Sequence, residues 1–294
     1  IINVETARSL VLQAQSSPSQ GLWRVIVVED ADRLGESGAN ALLKAIEEPP
    51  EHTVWLLCAP SPEDMIATIR SRCRHLGLRI PTASAVADLL VREGVATPDV
   101  ALEAARAAQS HIGLARALAR DPQMRERRRA IITAPASVRS VGEAVMAADR
   151  LLETAKAQAD AQVSERNARE KAELMRQLGM DEGESATKAS RTMIRQLEED
   201  QKRRSKRALT DAIDRALIDL LAIYRDVLMV QVGGDGELIN TDLSDLVHEI
   251  AQDSTPRQTL ARVDHIETAR KRLVSNGNPL LVLEDMAISL RPQA

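Results

Sequence analysis

Two short apolar runs on either side of an amphipathic helix constrain the fold of this chain most strongly. The runs are Val25–Val28 and Thr53–Cys58, and continuous runs of this kind are typical of strands buried on both faces of a sheet. Between them, apolar residues recur at helical spacing from Ala39 to Ile46, and Pro49 ends the pattern. Strand, helix, strand with short connections predicts a parallel sheet with right-handed crossovers.

The strand signals almost vanish further along the chain. Glu63–Arg70 predicts a short helix and Leu76–Ile80 a third strand before Pro81, after which helical patterns dominate. The predicted fold class is therefore α/β followed by all-α. We expect three parts, with boundaries at 1–81, 82–121 and 122–294.

The most charged part of the chain is 150–207, with 11 acidic and 14 basic residues. Gly179–Ser185 predicts a loop between two long helices. The stretch allows three interpretations: a coiled-coil arm, a DNA-contacting segment whose basic residues are Lys202–Arg204 and Lys206–Arg207, or a solvated face with mixed-sign pairs. The third is favoured, because alternating charges usually lie on exposed helix faces.

The composition excludes several functions. There are two Trp, one Tyr and no Phe, too few aromatic rings for the base-stacking surfaces of single-strand binders and RNA-recognition sheets. With 39 basic and 43 acidic residues the net charge is −4, so non-specific DNA affinity should be weak.

Cellular location and metal binding also follow from the sequence. The chain shows no signal peptide and no apolar run near twenty residues, so we expect a cytoplasmic protein with no membrane association. Its two cysteines cannot build a disulfide framework, and its five histidines show no metal-ligand spacing. The chain does not begin with Met, and we expect an upstream segment.

An acidic pair, Glu29-Asp30, follows the first predicted strand. Carboxylates at the carboxyl end of a buried strand hold Mg²⁺ in ATPases, although acidic residues there are more often a solvated turn. A phosphate-binding loop of the form G-x-x-x-x-G-K-[ST] is also needed, and the sequence contains no Gly-Lys dipeptide. The chain as given should therefore not hydrolyse ATP in a site of its own.

Two motifs resemble the clamp-loader branch of the AAA+ ATPases. The helix Asn40–Pro50 reads NALLKAIEEPP, and Ser71-Arg72-Cys73 follows the second predicted strand. Their joint order and spacing are specific to that branch. The family's catalytic members carry Asp-Glu where this chain has Glu29-Asp30, so the resemblance implies a non-catalytic member. It also implies a partial AAA+ domain over 1–81, a helical lid over 82–121 and a helical collar over 122–294.

The resemblance implies that Arg72 is an arginine finger, reaching the ATP site of a neighbouring subunit. A guanidinium offers planar, permanently charged donors that suit a γ-phosphate. The alternative is an exposed basic turn, which the three arginines at 70, 72 and 74 would form. Ser71 and Cys73 are expected to shape the turn, and no His and acid partners are apparent that would make Cys73 a nucleophile.

Two further segments match the family. Gly113–Arg116 resembles the sensor-2 motif, whose arginine contacts nucleotide, although in a non-catalytic member Arg116 could equally pair locally. Asn278-Pro279 is a good helix start, with a side-chain cap followed by Pro at the first position. Family members end in a similar helix that joins the collar.

The expected function is that of a clamp-loader subunit in DNA replication, which acts with other subunits, a sliding clamp and primed DNA. ATP and Mg²⁺ are expected at neighbouring subunits, with no cofactor in this chain. The resemblance does not make the chain itself a polymerase. Two alternatives stay open: a motor-type ATPase whose phosphate-binding loop lies upstream, and a helical scaffold without a part in ATP chemistry.

Overall fold

A computed structural model describes residues 4–16, 18, 21–178 and 188–291, so the predicted loop Gly179–Ser185 lies outside the described residues. The protein is mostly helical and divides into two compact units, Ile1–Arg79 and Ile80–Ala294. The first contains α1 Val4–Gln15, β1 Arg24–Val28, α2 Glu36–Glu47, β2 Thr53–Leu57 and α3 Ala67–Arg70. The second contains α4 Ala83–Arg92, α5 Pro98–Ala107, α6 Ile112–Arg120, α7 Pro122–Ser137, α8 Val141–Gln177, α9 Lys188–Gln231, α10 Ser244–Gln252, α11 Pro256–Val274 and α12 Pro279–Leu290.

The sheet of the first unit consists of β1 and β2, which run parallel with Arg24 opposite Thr53 and Val28 opposite Leu57. The predicted strand-helix-strand order is confirmed, since α2 connects the two strands. One face of the sheet is covered: Ile26 belongs to a buried cluster that also includes the apolar side chains of α1 and α2. This burial is what fixes the register.

The other face of this sheet is open. Val25, Val27 and Leu56 are each about half exposed, although they lie in the two strands. The prediction that both faces of the strands are buried is therefore wrong for the described residues. Consecutive apolar residues place apolar side chains on both faces of a strand. The packed helices in the described part of the chain, however, cover only one face of the sheet.

The prediction of a third strand at Leu76–Ile80 is also wrong. The segment has no regular secondary structure, and Leu76, Leu78 and Ile80 are each more than four-fifths exposed. Alternating apolar residues give a strand one apolar face, but its backbone also needs a neighbouring strand for hydrogen bonds. Among the residues that the structure describes, the sheet contains β1 and β2 alone.

An open apolar sheet face should make this chain self-associate, because exposed apolar patches beside unpaired strand edges favour aggregation. We expect Val27→Lys combined with Leu56→Lys to lower the average mass of the purified chain in analytical ultracentrifugation. Ile26→Lys, on the covered face, should instead destabilise the first unit. Equal association of the double variant and wild type would contradict the prediction.

Helices α4–α6 have an apolar core of their own, which includes Val86, Leu90 and Leu118. The Thr82 hydroxyl caps α4 by accepting from the Ala85 N–H at 3.1 Å. The three helices agree with the helical patterns that dominate the sequence after Pro81.

A second, larger core joins α7–α12. Leu217, Leu220, Ile266 and Leu283 are among its fully buried side chains. The predicted start of the last helix is confirmed, since Asn278 Oδ1 accepts from the Leu280 and Leu281 N–H groups at 3.0 and 3.4 Å.

The ends of α8 and α9 that lie nearest to the undescribed residues 179–187 form an antiparallel pair, which we call the arm: residues 159–177 of α8 and 188–208 of α9. Ala159, Val163 and Ala208 make a small buried cluster. Further out the contacts become polar: Arg204 donates to Asn167 Oδ1 and Glu170 Oε2, both at 2.8 Å. This structure supports the coiled-coil interpretation, in which polar residues in the seam specify register.

The charges of the arm are largely paired, which also supports the mixed-sign interpretation. In the basic cluster, Arg203 pairs with Asp200, and Lys206 donates to Asn276 at 3.1 Å. Arg204 faces Glu170 inside the arm. These pairs argue against the DNA-contacting interpretation of the cluster.

The arm should lose stability in acid through Glu170. Hydrogen bonds from Arg204 and then Arg166 lower the pKa of Glu170 from 4.5 to about 2. A carboxylate with a lowered folded-state pKa stabilises the fold above its unfolded pKa, and that contribution disappears as the pH falls from 4.5 towards 2. We expect Glu170→Gln to lower the thermal midpoint of helix loss at pH 6, measured by circular dichroism, and to matter little at pH 2. Glu165→Gln, whose pair with Arg169 is exposed, should change the midpoint less.

Candidate functional site

The turn that carries Arg72 follows α3 directly and is exposed. Its anchor is Ile69, whose side chain is fully buried in the core of the first unit. The backbone N–H of Arg72 donates to the Ile69 carbonyl at 3.0 Å, and Ser71 Oγ donates to the Thr68 carbonyl at 3.1 Å. The turn is therefore a tight extension of α3, fixed to the core by one residue.

The side chain of Arg72 is held at two of its nitrogen atoms. Nε lies 3.0 Å from Oε2 of Glu47, the last residue of α2. Nη1 donates to the Thr68 carbonyl at 3.0 Å and to Ser71 Oγ at 3.4 Å. Within the described chain both hydrogen bonds of this guanidinium come from Nη1, so the Nη2 donors remain available. Arg72 is about one-third exposed, which leaves it accessible to a ligand from outside the chain.

The neighbours of Arg72 have structural contacts. Arg70 Nη1 donates to the Pro62 carbonyl at 3.3 Å, and Ser71 shapes the turn as predicted. Partial burial of the thiol raises the pKa of Cys73. The reactive thiolate is thereby disfavoured, which argues against a nucleophilic role.

The acidic pair lies at the carboxyl end of β1, as predicted. Glu29 is exposed, whereas Asp30 is half-buried with a φ of 50° and begins the short 3₁₀ turn Ala31–Arg33. Arg33 Nη1 lies 3.9 Å from Asp30 Oδ2. The positive φ is tolerable for Asp, whose short polar side chain suits left-handed positions. This geometry is that of a turn, and no cluster of three or more metal-ligating side chains occurs in the described residues.

Arg116 lies on α6 in the second unit and is paired there. Its Nε and Nη2 approach both oxygens of the Glu93 carboxylate at 2.8–3.0 Å, a bidentate arrangement. His111 Nδ1 caps the same helix by accepting from the Leu114 N–H at 3.1 Å. Arg116 thus makes a local pair in this structure, and a contact between Arg116 and nucleotide stays a prediction.

Sequence reasoning missed Glu47. It belongs to the NALLKAIEEPP motif, which carried the resemblance, yet no role was derived for either glutamate. The available signal was its position at the end of α2, where an acidic side chain opposes the helix dipole and so favours a cationic partner.

The structure thus defines a small parallel α/β unit with a surface arginine after its second strand, joined in sequence to a helical unit. This arrangement is consistent with the resemblance to clamp-loader subunits that the motifs carry. No helix in the described part of the chain is both long and apolar enough to cross a membrane.

Residues 1–82 match the family model described as DNA polymerase III, delta subunit. The chain is 36% identical to DNA polymerase III subunit delta′ of Escherichia coli over 117 residues, or 40% of this chain and 35% of that protein. It is 42% identical to subunit delta′ of Yersinia pestis over 80 residues, or 27% and 24% of the two chains. It is 38% identical to subunit gamma/tau of Mycobacterium bovis over 100 residues, or 33% and 17%.

These matches confirm the resemblance to DNA polymerase III clamp-loader subunits, with delta′ among the subunits matched. The chain spans between about one-sixth and one-third of the length of these relatives. The match to the family model covers the first unit, where Arg72 lies.

Proposed function

We propose that this protein is a clamp-loader subunit of the DNA polymerase III holoenzyme, of the delta′ type. It would assemble with delta and gamma/tau subunits and take part in loading a sliding clamp onto primed DNA. In this proposal 1–81 is a partial AAA+ domain, 82–121 a lid and 122–294 a collar. The observation that carries the proposal is the match of residues 1–82 to DNA polymerase III subunits, within which an accessible arginine is held in a fixed turn.

The proposed chemistry is the donation of Arg72 to the ATP site of a neighbouring subunit. ATP and Mg²⁺ would be bound there, and the planar guanidinium would stabilise charge on the transferred phosphoryl group. Subunits of this type are stator-like: they offer a rigid surface against which the motor subunits move. The buried Ile69 and the contacts of Arg72 provide such rigidity locally.

Reconstitution tests this assignment. A mixture of the delta and gamma/tau subunits and the sliding clamp from the same organism should load the clamp onto primed DNA only when this protein, at its full natural length, is added. Loading can be followed by a fluorescent clamp on immobilised DNA. Equal loading without this protein would reject the proposed function.

The leading alternative is a motor subunit of the gamma/tau type, and relatives with that name are among the matches. The order Glu29-Asp30 argues against it, as does the turn geometry of Asp30. Equilibrium binding of a fluorescent ATP analogue to the natural full-length protein separates the two. Saturable binding that a P-loop lysine substitution abolishes would establish the motor alternative.

A further inference from the structure

Glu47 and Arg72 form an ion pair between the two motifs that carry the family resemblance, yet they are 25 positions apart in the sequence. Glu47 ends α2, and Arg72 follows α3. The 3.0 Å distance joins Glu47 Oε2 to Arg72 Nε. The Nη1 contacts with Thr68 and Ser71 come from a different nitrogen of the same group.

Contacts at two nitrogens determine the plane of a guanidinium. A free arginine side chain samples many rotamers, and ordering it costs conformational entropy. An exposed ion pair adds little to fold stability, so the main consequence of this one is orientation. A side chain already oriented by Glu47 and Thr68 has less entropy to lose when it meets a phosphate.

We propose that Glu47 is a positioning residue for Arg72: its carboxylate holds Nε and so aims the Nη2 donors out of the chain, towards phosphate oxygens bound by a neighbouring subunit. This inference rests on the proposed function. It gives the two glutamates of the NALLKAIEEPP motif unequal roles, because Glu48 is exposed and makes no hydrogen bond or ion pair through its side chain in the described chain.

The unequal roles provide a matched control. The test uses a reconstituted complex in which P-loop lysine substitutions disable ATP hydrolysis at every site except the one facing this subunit. Glu47→Gln should lower kcat at that site about 10-fold, because a misplaced catalytic group loses part of its effect. KM for ATP and assembly of the complex should not change, while Glu48→Gln should match wild type. Glu47→Asp should recover part of the rate if its shorter carboxylate still reaches Nε.

A double variant separates positioning from a general structural effect. If Glu47 acts through Arg72, adding Glu47→Gln to Arg72→Ala should cause no further loss of rate. An additive loss, a rate equal to that of Glu48→Gln, or a faster rate for Glu47→Gln would each overturn the inference. An unchanged rate for Arg72→Ala alone would instead reject the arginine-finger role in the proposed function, so the two failures are distinguishable.

Discussion

Replacing Arg72 with alanine should lower the rate of ATP hydrolysis about 10³-fold at the neighbouring site that this subunit faces. Arginine fingers contribute roughly 10³–10⁵ in rate in other NTPases, and a factor of 10³ corresponds to about 4 kcal/mol of transition-state stabilisation. The effect should fall on kcat, because the finger acts on charge that develops in the transition state. The measurement is DNA-dependent ATPase activity of the reconstituted complex with the other sites disabled.

The structure supplies controls for this substitution. Arg74→Ala removes a positive charge two residues away, from a side chain that forms no hydrogen bond or ion pair in the described chain, and should leave the rate near wild type. Arg72→Lys keeps the charge but loses the planar donors, so an intermediate rate is expected. Assembly should be intact in all three variants, since Arg72 is not part of a buried core.

The outcome separates three explanations of the turn. If Arg72→Ala and Arg74→Ala lower the rate by similar small amounts, the turn contributes only diffuse positive charge, as the basic-turn interpretation holds. If neither changes the rate, this protein is a scaffold with no part in ATP chemistry. A large loss confined to Arg72 would support the arginine finger.

Much of the fold was predictable because its signals are local. The helical spacing from Ala39 to Ile46 and the Asn278-Pro279 cap depend on residues within one or two turns, and both elements occur where the pattern placed them. The prediction of a strand at Leu76–Ile80 failed because a strand also needs a neighbouring strand for its backbone hydrogen bonds. Its alternating pattern was correct in composition, but the pairing partner is a property of the whole sheet.

In the candidate site, too, the local feature was predictable from the sequence and the partner that the fold brings close was not. The motif Ser71-Arg72-Cys73 identified the arginine, since a family motif is read directly from consecutive residues. The partner Glu47 could not be found by spacing alone, because the pair forms only when α2 and α3 pack together. Arg116 and Glu93 illustrate the same limit: they are 23 positions apart in sequence, and only the fold brings the carboxylate beside the arginine.

The second large effect is expected at a buried carboxylate in the helical unit. Asp226 on α9 is completely buried and accepts from the backbone N–H groups of Ile239 at 3.0 Å and Asn240 at 2.8 Å. It also accepts from Asn240 Nδ2 at 2.9 Å and from Arg225 Nη1 at 2.8 Å. One side chain thus fixes the segment that follows α9 against that helix.

Asn240 extends this network to α7. Its Oδ1 accepts from Arg128 Nη2 at 2.6 Å, and Arg128 Nε lies 3.0 Å from Asp219 Oδ1. Burial raises the pKa of Asp219, although Arg128 opposes that shift. Removing Asp226 would therefore leave Asn240 without partners for its backbone N–H and its side-chain amide, and loosen the residue that orients Arg128.

Asp226→Ala should lower the free energy of unfolding by about 3 kcal/mol or more, because buried donors left without acceptors each cost about 1–3 kcal/mol. In a unit of this size the thermal midpoint should fall by roughly 6–12 °C. Circular dichroism at the helical band during thermal and urea unfolding measures both quantities. Asp226→Asn keeps one acceptor oxygen, so its stability should lie between that of wild type and that of Asp226→Ala.

The matched control is Asp235→Ala, which removes an exposed carboxylate from the glycine-rich segment just after α9. Its effect should stay within about 0.5 kcal/mol, as is usual for exposed positions. A loss below about 1 kcal/mol for Asp226→Ala would mean that water replaces the carboxylate at Asn240. Asp226 would then be a dispensable contact, and the segment after α9 would have to be held by its apolar contacts, such as the buried Leu243.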